Sequence, residues 1–568
     1  MNINTIRHSL AHIMASAVQK LYPETEFGIG PAIENGFYYD FDDLKISDED
    51  LSKIEKKMRE LIKQNIVFKK KLVTKAQAKK IFKNQPYKLE LISELKEKKV
   101  SIYENDGFID LCKGPHIKSS KEINPDAFKL TKIAGAYWRG KEKNKMLTRI
   151  YGIAFAAQKE LDEYLRLQVE AEKRDHRKLG EKLELFLLHD TAPGMPYWLP
   201  KGVVIYNELV NFWREEHQKR GYQEITSPLL NKKELYETSG HWEHYRENMF
   251  IAKTEEGEIY GIKAMNCPNA MVVYKSKPRS YKELPLRLSD IDPLHRYERS
   301  GTLYGLLRMR SFRQDDAHIF VTEDQIKQEY RNILEIIERF YSIFNLEYSF
   351  RLGTRPEKFM GDMKTWNGAE KELKEILEKS GKKYTILKGD GAFYGPKIDI
   401  LMNDCLGREW QMGTIQLDFQ MPKRFNLYYV NNKGKKKIPV TIHRVIYGSL
   451  ERFIGILLEH YAGNLPLWLS PEQVWVVPVG SVHRKYALSV QKKLSEAGIR
   501  PKAKIEAETV SKKIREGETQ KIPYLLVVGD KEVKAKSVRV RQRGKGDMGM
   551  MKLDEFINKI LEQIKKKK

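Results

Sequence analysis

The sequence predicts a multidomain chain mixing α/β and α+β units, and three observations carry that expectation. Its 568 residues correspond to three or four domains at about 150 residues each. Residues 158–179 are dominated by charge and contain neither Gly nor Pro, with a thin apolar stripe at Leu161, Leu165, Leu167 and Val169. That pattern reads as a solvated helix joining two domains. Beyond residue 470, short apolar runs alternate with helical periods, which implies βα units on a parallel or mixed sheet. The expected boundaries are 1–157, 158–179, 180–467 and 468–568.

Composition narrows the class further. Hydrophobic residues make up 41% of the chain, enough for packed cores, so it is not a disordered protein. The three cysteines, Cys112, Cys267 and Cys405, stand far apart. This excludes a disulfide framework and fits a reducing compartment. No leader-like apolar segment opens the chain and no run of about 18 apolar residues occurs, so a soluble, cytoplasmic protein with no membrane partner is expected. The net charge is +25, and residues 471–568 hold 24 Lys and Arg against 12 Asp and Glu. Such a surplus is the footprint of a polyanion, RNA or DNA, although lysine is abundant throughout the chain.

Taken in order, the chain opens on a helical period in which His8 and His12 lie four apart, on one face. Asp110-Leu111-Cys112-Lys113-Gly114-Pro115-His116 follows much later. By residue type, two such pairs fit a tetrahedral zinc set. After the linker, residues 193–202 form a loop rich in breakers, then an amphipathic helix is expected from about Val203 to Arg220. Residues 287–320 are studded with Arg287, Arg296, Arg299, Arg308, Arg310 and Arg313. The alternation at 306–312 reads as strand, with Ser300-Gly301 as the turn of a long hairpin. Guanidinium forks along one strand face suit a polyphosphate. A merely solvated face has no need to gather Glu298, Gln314, Asp315, Asp316 and His318 in the same stretch.

That stretch also carries a resemblance. His295-Arg296-x-Glu298, Arg308 and Phe312-Arg313-Gln314-Asp315-Asp316-Ala317-His318 resemble motif 2 of the class II aminoacyl-tRNA synthetases, and the Gln-Asp-Asp-Ala-His tail resembles the threonyl family. The helix and strand at 203–228 resemble motif 1, and residues 446–453 resemble motif 3. The resemblance implies a catalytic core on an antiparallel sheet, flanked by an α+β editing domain and an α/β anticodon-binding domain. It implies Arg296, Arg308 and Arg452 on the ATP phosphates, Glu298 on the adenine amino group and Phe312 stacked on the base. Asp316 and Gln314 would bind the substrate hydroxyl, Tyr394 would lie against the amino acid, and Gln416 would line the nucleotide pocket. Cys267, His318 and His443, which no spacing rule pairs, would be ligands of one Zn²⁺ per subunit, with Mg²⁺ accompanying ATP.

Physics links these implications. Threonine differs from valine by a hydroxyl in place of a methyl, and a pocket rejects valine strongly only through polar groups that valine leaves unpaired. A three-ligand zinc keeps an open position for that purpose. Serine keeps the hydroxyl and loses one methyl, worth only about 1–3 kcal/mol, so a separate editing site is required. His8, His12, Asp110, Cys112 and His116, with the Gly-Pro and Asn35-Gly36-Phe37-Tyr38-Tyr39-Asp40 segments, resemble that editing domain, with Lys88 as an assisting lysine. The resemblance implies that this pocket positions water without a metal, whereas the residue types alone fit zinc. The family's small ubiquitin-like domain has no counterpart before the histidine helix. At the other end, Glu532 and Arg541 align with anticodon contacts, and residues 565–568 read as a frayed tail. Expected partners are tRNA-Thr, ATP, L-threonine and a second copy of the chain. Composition does not separate tRNA from structured messenger RNA as a further partner. Two rivals stand beside this reading: a non-catalytic RNA-binding relative, which would be free to lose Arg296, Arg452 or a zinc ligand, and a stand-alone editing hydrolase, which would need no aminoacylation core.

Overall fold

The computed structural model describes residues 2–404 and 407–567; Cys405 and Lys568 lie outside them. The chain divides into two compact units, Met1–Val169 and Glu170–Lys568.

The first unit is built on the helix Ile3–Leu21, whose start is capped by the Asn2 side chain accepting from Asn4 N–H. Leu10, Ile13, Met14 and Val18 are buried among Ile54, Met58, Phe37, Phe41 and Ile150. The partner sheet runs in the order Glu26–Phe27, Gly36–Asp42, Met146–Ala154, Phe128–Tyr137. A separate three-stranded sheet, Lys69–Thr74, Lys99–Asn105 and Phe108–Leu111, delivers residues 110–116 back toward the helix.

The expected linker helix is shorter than the charge pattern suggested. It spans Gln158–Arg174, with only Leu161 buried. Asp175 then caps a second helix, His176–Lys182, by accepting from Arg177 N–H. His176, Leu179 and Gly180 of that second helix are buried, so the solvated character ends at Asp175.

In the second unit a nine-stranded sheet organises the core. Its path is Gln223–Glu224, Leu286–Asp290, Ser311–Val321, Val440–Ser449, Glu409–Asp418, Lys397–Asn403, Ser349–Gly353, Tyr384–Leu387, and the ninth strand, Pro293–His295, pairs with Ser311–Val321 off that path. The interior pairings are antiparallel, and only the two edge pairs are parallel. Helices Ile326–Ile343, Met363–Ser380 and Leu450–His460 supply Ile333, Ile337, Phe340, Leu373, Leu377, Phe453 and Leu457 to the apolar core against this sheet. The amphipathic helix spans Pro200–Gln218 with its proline in the first turn. Its Phe212 packs on Phe340 and Trp468 at ring-centroid distances of 5.0 and 5.9 Å.

One expected element is corrected. Residues 306–312 do not begin as strand: Ser300–Thr302 and Gly305–Leu307 are 3₁₀ turns, and the strand starts at Ser311, paired with Pro293–His295. A strand would send Leu306 and Leu307 to opposite faces. Both are instead buried, and Cβ of Leu306 and Cδ2 of Leu307 close over Gly455 of the helix Leu450–His460.

The C-terminal part of this unit is a mixed five-stranded sheet, ordered Pro501–Ala503, Val474–Pro478, Tyr524–Val528, Ser537–Gln542, Gly546–Lys552. The first three strands are parallel and the rest antiparallel. The helix Leu553–Lys565 closes it. The tail is not frayed as far as Lys567, whose ammonium lies 4.7 Å from the Trp468 ring and 5.5 Å from that of Phe212. Cation–π attraction with two rings holds it down.

Candidate active site

Strand periodicity sets up the site. Along Ser311–Val321, Phe312, Gln314, Asp316 and His318 alternate onto one face, and all four line a cavity of about 480 Å³. Asp315 points the other way, where both its carboxylate oxygens accept from Ile446 N–H at 3.1 Å. Register then builds rows across the sheet. His318 pairs with His443, and His443 with Gln416, so one row carries three candidate residues from three strands. Cys267 enters from outside the sheet, at the start of the helix Cys267–Lys275.

Cys267, His318 and His443 each offer a donor atom, all within 4.8 Å of one another, and all three residues are buried. His443 Nε2–H donates to Asp418 Oδ2 at 3.0 Å, leaving Nδ1 as the free ring nitrogen. Asp418 is itself held by Gln420 N–H and Met421 N–H at 2.7 and 3.0 Å. A carboxylate fixing the tautomer of a histidine is the usual support for a metal ligand. His318 Nδ1 is buried without a partner, and burial beside His443 and Arg444 keeps the ring neutral, the form that ligates. Burial beside Asp316 and Asp418 pushes the Cys267 thiol well up, a cost that a divalent cation would reverse. The donor set therefore fits zinc. Asp316, one row away, accepts from Asn266 Nδ2–H at 3.2 Å, and burial raises its carboxyl to about 6. Tyr394 OH donates to Gln416 Oε1 on the same wall.

The rest of the cavity is cationic. Arg296, Arg308 and Arg452 all line it, with Glu298. Burial, then the proximity of Arg296 and Arg308, holds the Arg452 guanidinium below its ordinary value. Arg452 is held by two backbone carbonyls, Nε–H to Leu307 O and Nη1–H to Gln411 O, both at 2.8 Å. Arg308 rests on Glu298 Oε2 at 3.0 Å, and the Arg296 guanidinium lies 5.0 Å from the Phe312 ring. Among the described residues, Arg296, Arg308 and Arg452 share only Glu298 as a nearby acidic group at this end of the cavity, an arrangement suited to a polyanion.

The first unit holds a second cluster. His8, His12, Cys112 and His116 bring their donor atoms within 4.8 Å of one another. Cys112 Sγ is 3.4 Å from His8 Nε2 and 3.3 Å from His116 Nε2, and His116 Nδ1 is 3.0 Å from Ser9 Oγ. Behind them, Asp110 accepts from Tyr39 OH at 2.6 Å and forms a buried ion pair with Lys88. His12 Nε2 is 3.5 Å from the same carboxylate, while its Nδ1 is buried without a partner. Burial holds the His12 and His116 rings far below their ordinary value and raises the Cys112 thiol to about 11. The imidazoles are neutral and the sulfur is a thiol, not a thiolate.

Comparison with known proteins matches these regions. A family described as the class II tRNA synthetase core domain (G, H, P, S and T) covers residues 250–461. The anticodon binding domain covers residues 473–563, and the threonyl and alanyl tRNA synthetase second additional domain covers residues 100–151. The threonine–tRNA ligase of Carboxydothermus hydrogenoformans is 51% identical over 100% of this chain and 89% of its own. The chain belongs to the threonine–tRNA ligase family. The ligase of Acetivibrio thermocellus is likewise 51% identical, over 99% of this chain and 88% of its own. The crystal structure described as the RNA binding domain of threonyl-tRNA synthetase from Cryptosporidium parvum is 43% identical, with a TM-score of 0.67. It covers 68% of this chain and 98% of that one.

Within the threonine–tRNA ligase fold, the two remaining candidates are placed differently from each other. Glu532 is buried, and its Oε2 accepts from Gly529 N–H at 3.0 Å. It caps its own helix and does not stand out as a solvated side chain. Arg541 is half-buried on the strand Ser537–Gln542. Several groups on the catalytic cavity escaped the sequence reading. His241 lines it with Nε2 3.9 Å from Cys267 Sγ and Nδ1 2.8 Å from Ser239 Oγ. Burial and His443 push that ring down to about 3. Asp418 and Asn266, which support His443 and Asp316, carry no spacing signal either. They become visible only once the sheet register is known.

Proposed function

We propose that this chain is a threonine–tRNA ligase that activates L-threonine with ATP, esterifies the 3′ end of tRNA-Thr, and hydrolyses Ser-tRNA-Thr. The observation that carries this reading is the single cavity that is lined by a Cys-His-His donor set, an acidic hydroxyl acceptor and the guanidiniums of Arg296, Arg308 and Arg452. Editing is assigned to residues 1–157, aminoacylation to 180–467 and anticodon binding to 468–568, with 158–179 as the link. The active form is a homodimer in the cytoplasm, using the helix Pro200–Gln218 as interface.

Cys267, His318 and His443 would hold a zinc ion, which would act there as a Lewis acid toward the amino and hydroxyl groups of threonine. Asp316 and Gln314 accept from the hydroxyl, so valine would leave them unpaired. Arg296 holds the α-phosphate beside the threonine carboxylate, and Arg308 and Arg452 neutralise the pyrophosphate as it departs, a charge that Mg²⁺ accompanying ATP would share. Phe312 and Glu298 fix the adenine. Glu532 and Arg541 contribute to tRNA binding, Glu532 by shaping the turn it caps.

For editing, the neutral His12 ring, backed by Asp110 with its partners Tyr39 and Lys88, positions the attacking water and the ester. His8, Cys112 and His116 line the ester, the thiol being a poor nucleophile in its protonated state. The test is hydrolysis of Ser-tRNA-Thr by His12→Ala and Cys112→Ala variants. His12→Ala is expected to slow hydrolysis by about 10²-fold, with threonine activation within about twofold of wild type. Unchanged hydrolysis in both variants would contradict the assignment. Metal analysis is expected to return one zinc per chain; two would assign the second to the His8-His12-Cys112-His116 set.

A further inference from the structure

The wall of the nucleotide cavity formed by Leu307, Arg308 and Met309 belongs to residues 299–310. This loop lacks a strand partner apart from an isolated bridge between Tyr304 and Arg308. Its turn is held from outside. Leu306 N–H donates to His176 Nε2 at 3.0 Å, and His176 Nδ1–H donates to Glu459 Oε1 at 2.8 Å. Both ring nitrogens are therefore committed in one tautomer: Nε2 accepts and Nδ1 donates. His176 is fully buried, and Glu459 nearly so.

The fit is close enough to dictate two glycines. A Cβ built on Gly305, whose φ is +49°, would overlap His176 Nε2. One on Gly455 would stand 3.0 Å from Leu307 Cδ2, 3.2 Å from Leu306 Cβ and 3.6 Å from His176 Cδ2. The imidazole thus fills a slot between the loop and the helix Leu450–His460. That helix also carries Arg452, whose Nε–H donates to Leu307 O at 2.8 Å. A continuous path runs from Glu459 through His176 to Leu306, then from Leu307 O to the Arg452 guanidinium.

Asp175, His176 and Glu459 also form a donor cluster of the kind that binds cations. A metal role is excluded by the bonding: neither imidazole nitrogen is free, and Asp175 is taken up by Arg177 N–H and its guanidinium.

We propose that His176, seated on Glu459, is a positioning residue for ATP. It pins the 305–307 turn so that Leu307 O aims Arg452 and Arg308 faces the phosphates. It touches no substrate; its action passes through the loop backbone. The proposal rests on the ligase reading above for the identity of the nucleotide.

The experiment is ATP–pyrophosphate exchange on the full chain with His176→Leu, His176→Gln and Gly305→Ala. In His176→Leu, kcat/KM for ATP is expected to fall about 10²-fold, as for displacement of a catalytic group by about 1 Å, with KM for threonine within about twofold. His176→Gln keeps an acceptor for Leu306 N–H and should recover about tenfold of that loss. Gly305→Ala should imitate His176→Leu, and the double variant should be no worse than either alone. If His176→Leu does not fold, Gly305→Ala and His176→Gln carry the same comparison. ATP kinetics at wild-type level in the folded variants, or equal rises in KM for ATP and threonine, would overturn the proposal while wild-type exchange upholds the ligase reading. Absence of exchange in the wild type would instead fail that reading. ATP binding by calorimetry would then decide the positioning role, with about tenfold weaker binding expected in His176→Leu and equal binding contradicting it.

Discussion

Replacing Arg452 by alanine is expected to lower threonine-dependent ATP–pyrophosphate exchange by about 10²–10³-fold in kcat, or ~3–4 kcal/mol of transition-state stabilisation. The guanidinium is buried among like charges, Arg296 and Arg308, and a triphosphate relieves their mutual repulsion. Charge builds on the pyrophosphate as the bond breaks, and the effect should therefore fall mainly on kcat. Arg452→Lys should restore little. One ammonium cannot reproduce the two directed bonds to Leu307 O and Gln411 O that aim the fork. Exchange kinetics across ATP concentrations check this; an alanine variant within about threefold of wild type would remove Arg452 from the machinery.

Removing the metal is expected to have the larger consequence for choice of amino acid. Cys267→Ala, or chelation of the wild type, should abolish threonine-dependent exchange and with it the advantage of threonine over valine. A site that pairs a hydroxyl typically rejects its apolar analogue by about 10⁴–10⁵-fold. Asp418→Ala should weaken zinc binding by about 10–100-fold without touching a ligand, because His443 would lose the acceptor that fixes its tautomer. Zinc content and the threonine-to-valine ratio of exchange rates measure both effects. A zinc-free Cys267→Ala variant that still discriminates as the wild type does would exclude the metal from selection.

How much of this was legible in the sequence depended on whether the needed relation was local. The stretch that holds Gln314, Asp315, Asp316 and His318 stood out by residue type, but the sequence reading did not separate Asp315 from its neighbours; the strand Ser311–Val321 does so, because alternation puts Phe312, Gln314, Asp316 and His318 on one face. The His8–His12 pair was legible on a helix, whose period puts residues four apart on one face. Residues 306–312 misled because alternating apolar and basic residues also describe a 3₁₀ turn that buries two consecutive leucines against a helix. The cue was Gly305, which takes a positive φ next to His176.

Relations that pass through the register were not legible. Residues 318 and 443 become neighbours only because the strands Ser311–Val321 and Val440–Ser449 pair with that register. No spacing in the chain encodes it, and only the family resemblance joined the two histidines to Cys267. His176 was hidden differently. It sits at the end of a charge-rich stretch that read as solvated throughout, and its burial depends on Glu459, 283 residues away. His241 carried no signal beyond its residue type.

The central claim is that one cavity activates threonine with ATP and selects it through a metal. The most direct measurement is ATP–pyrophosphate exchange with threonine, serine and valine, on the zinc-loaded chain and again after stripping zinc. The account predicts exchange with threonine and serine, none with valine, and loss of exchange on stripping that is restored by zinc. A folded, zinc-loaded chain that exchanges with none of the three, or that accepts valine as readily as threonine, would contradict it.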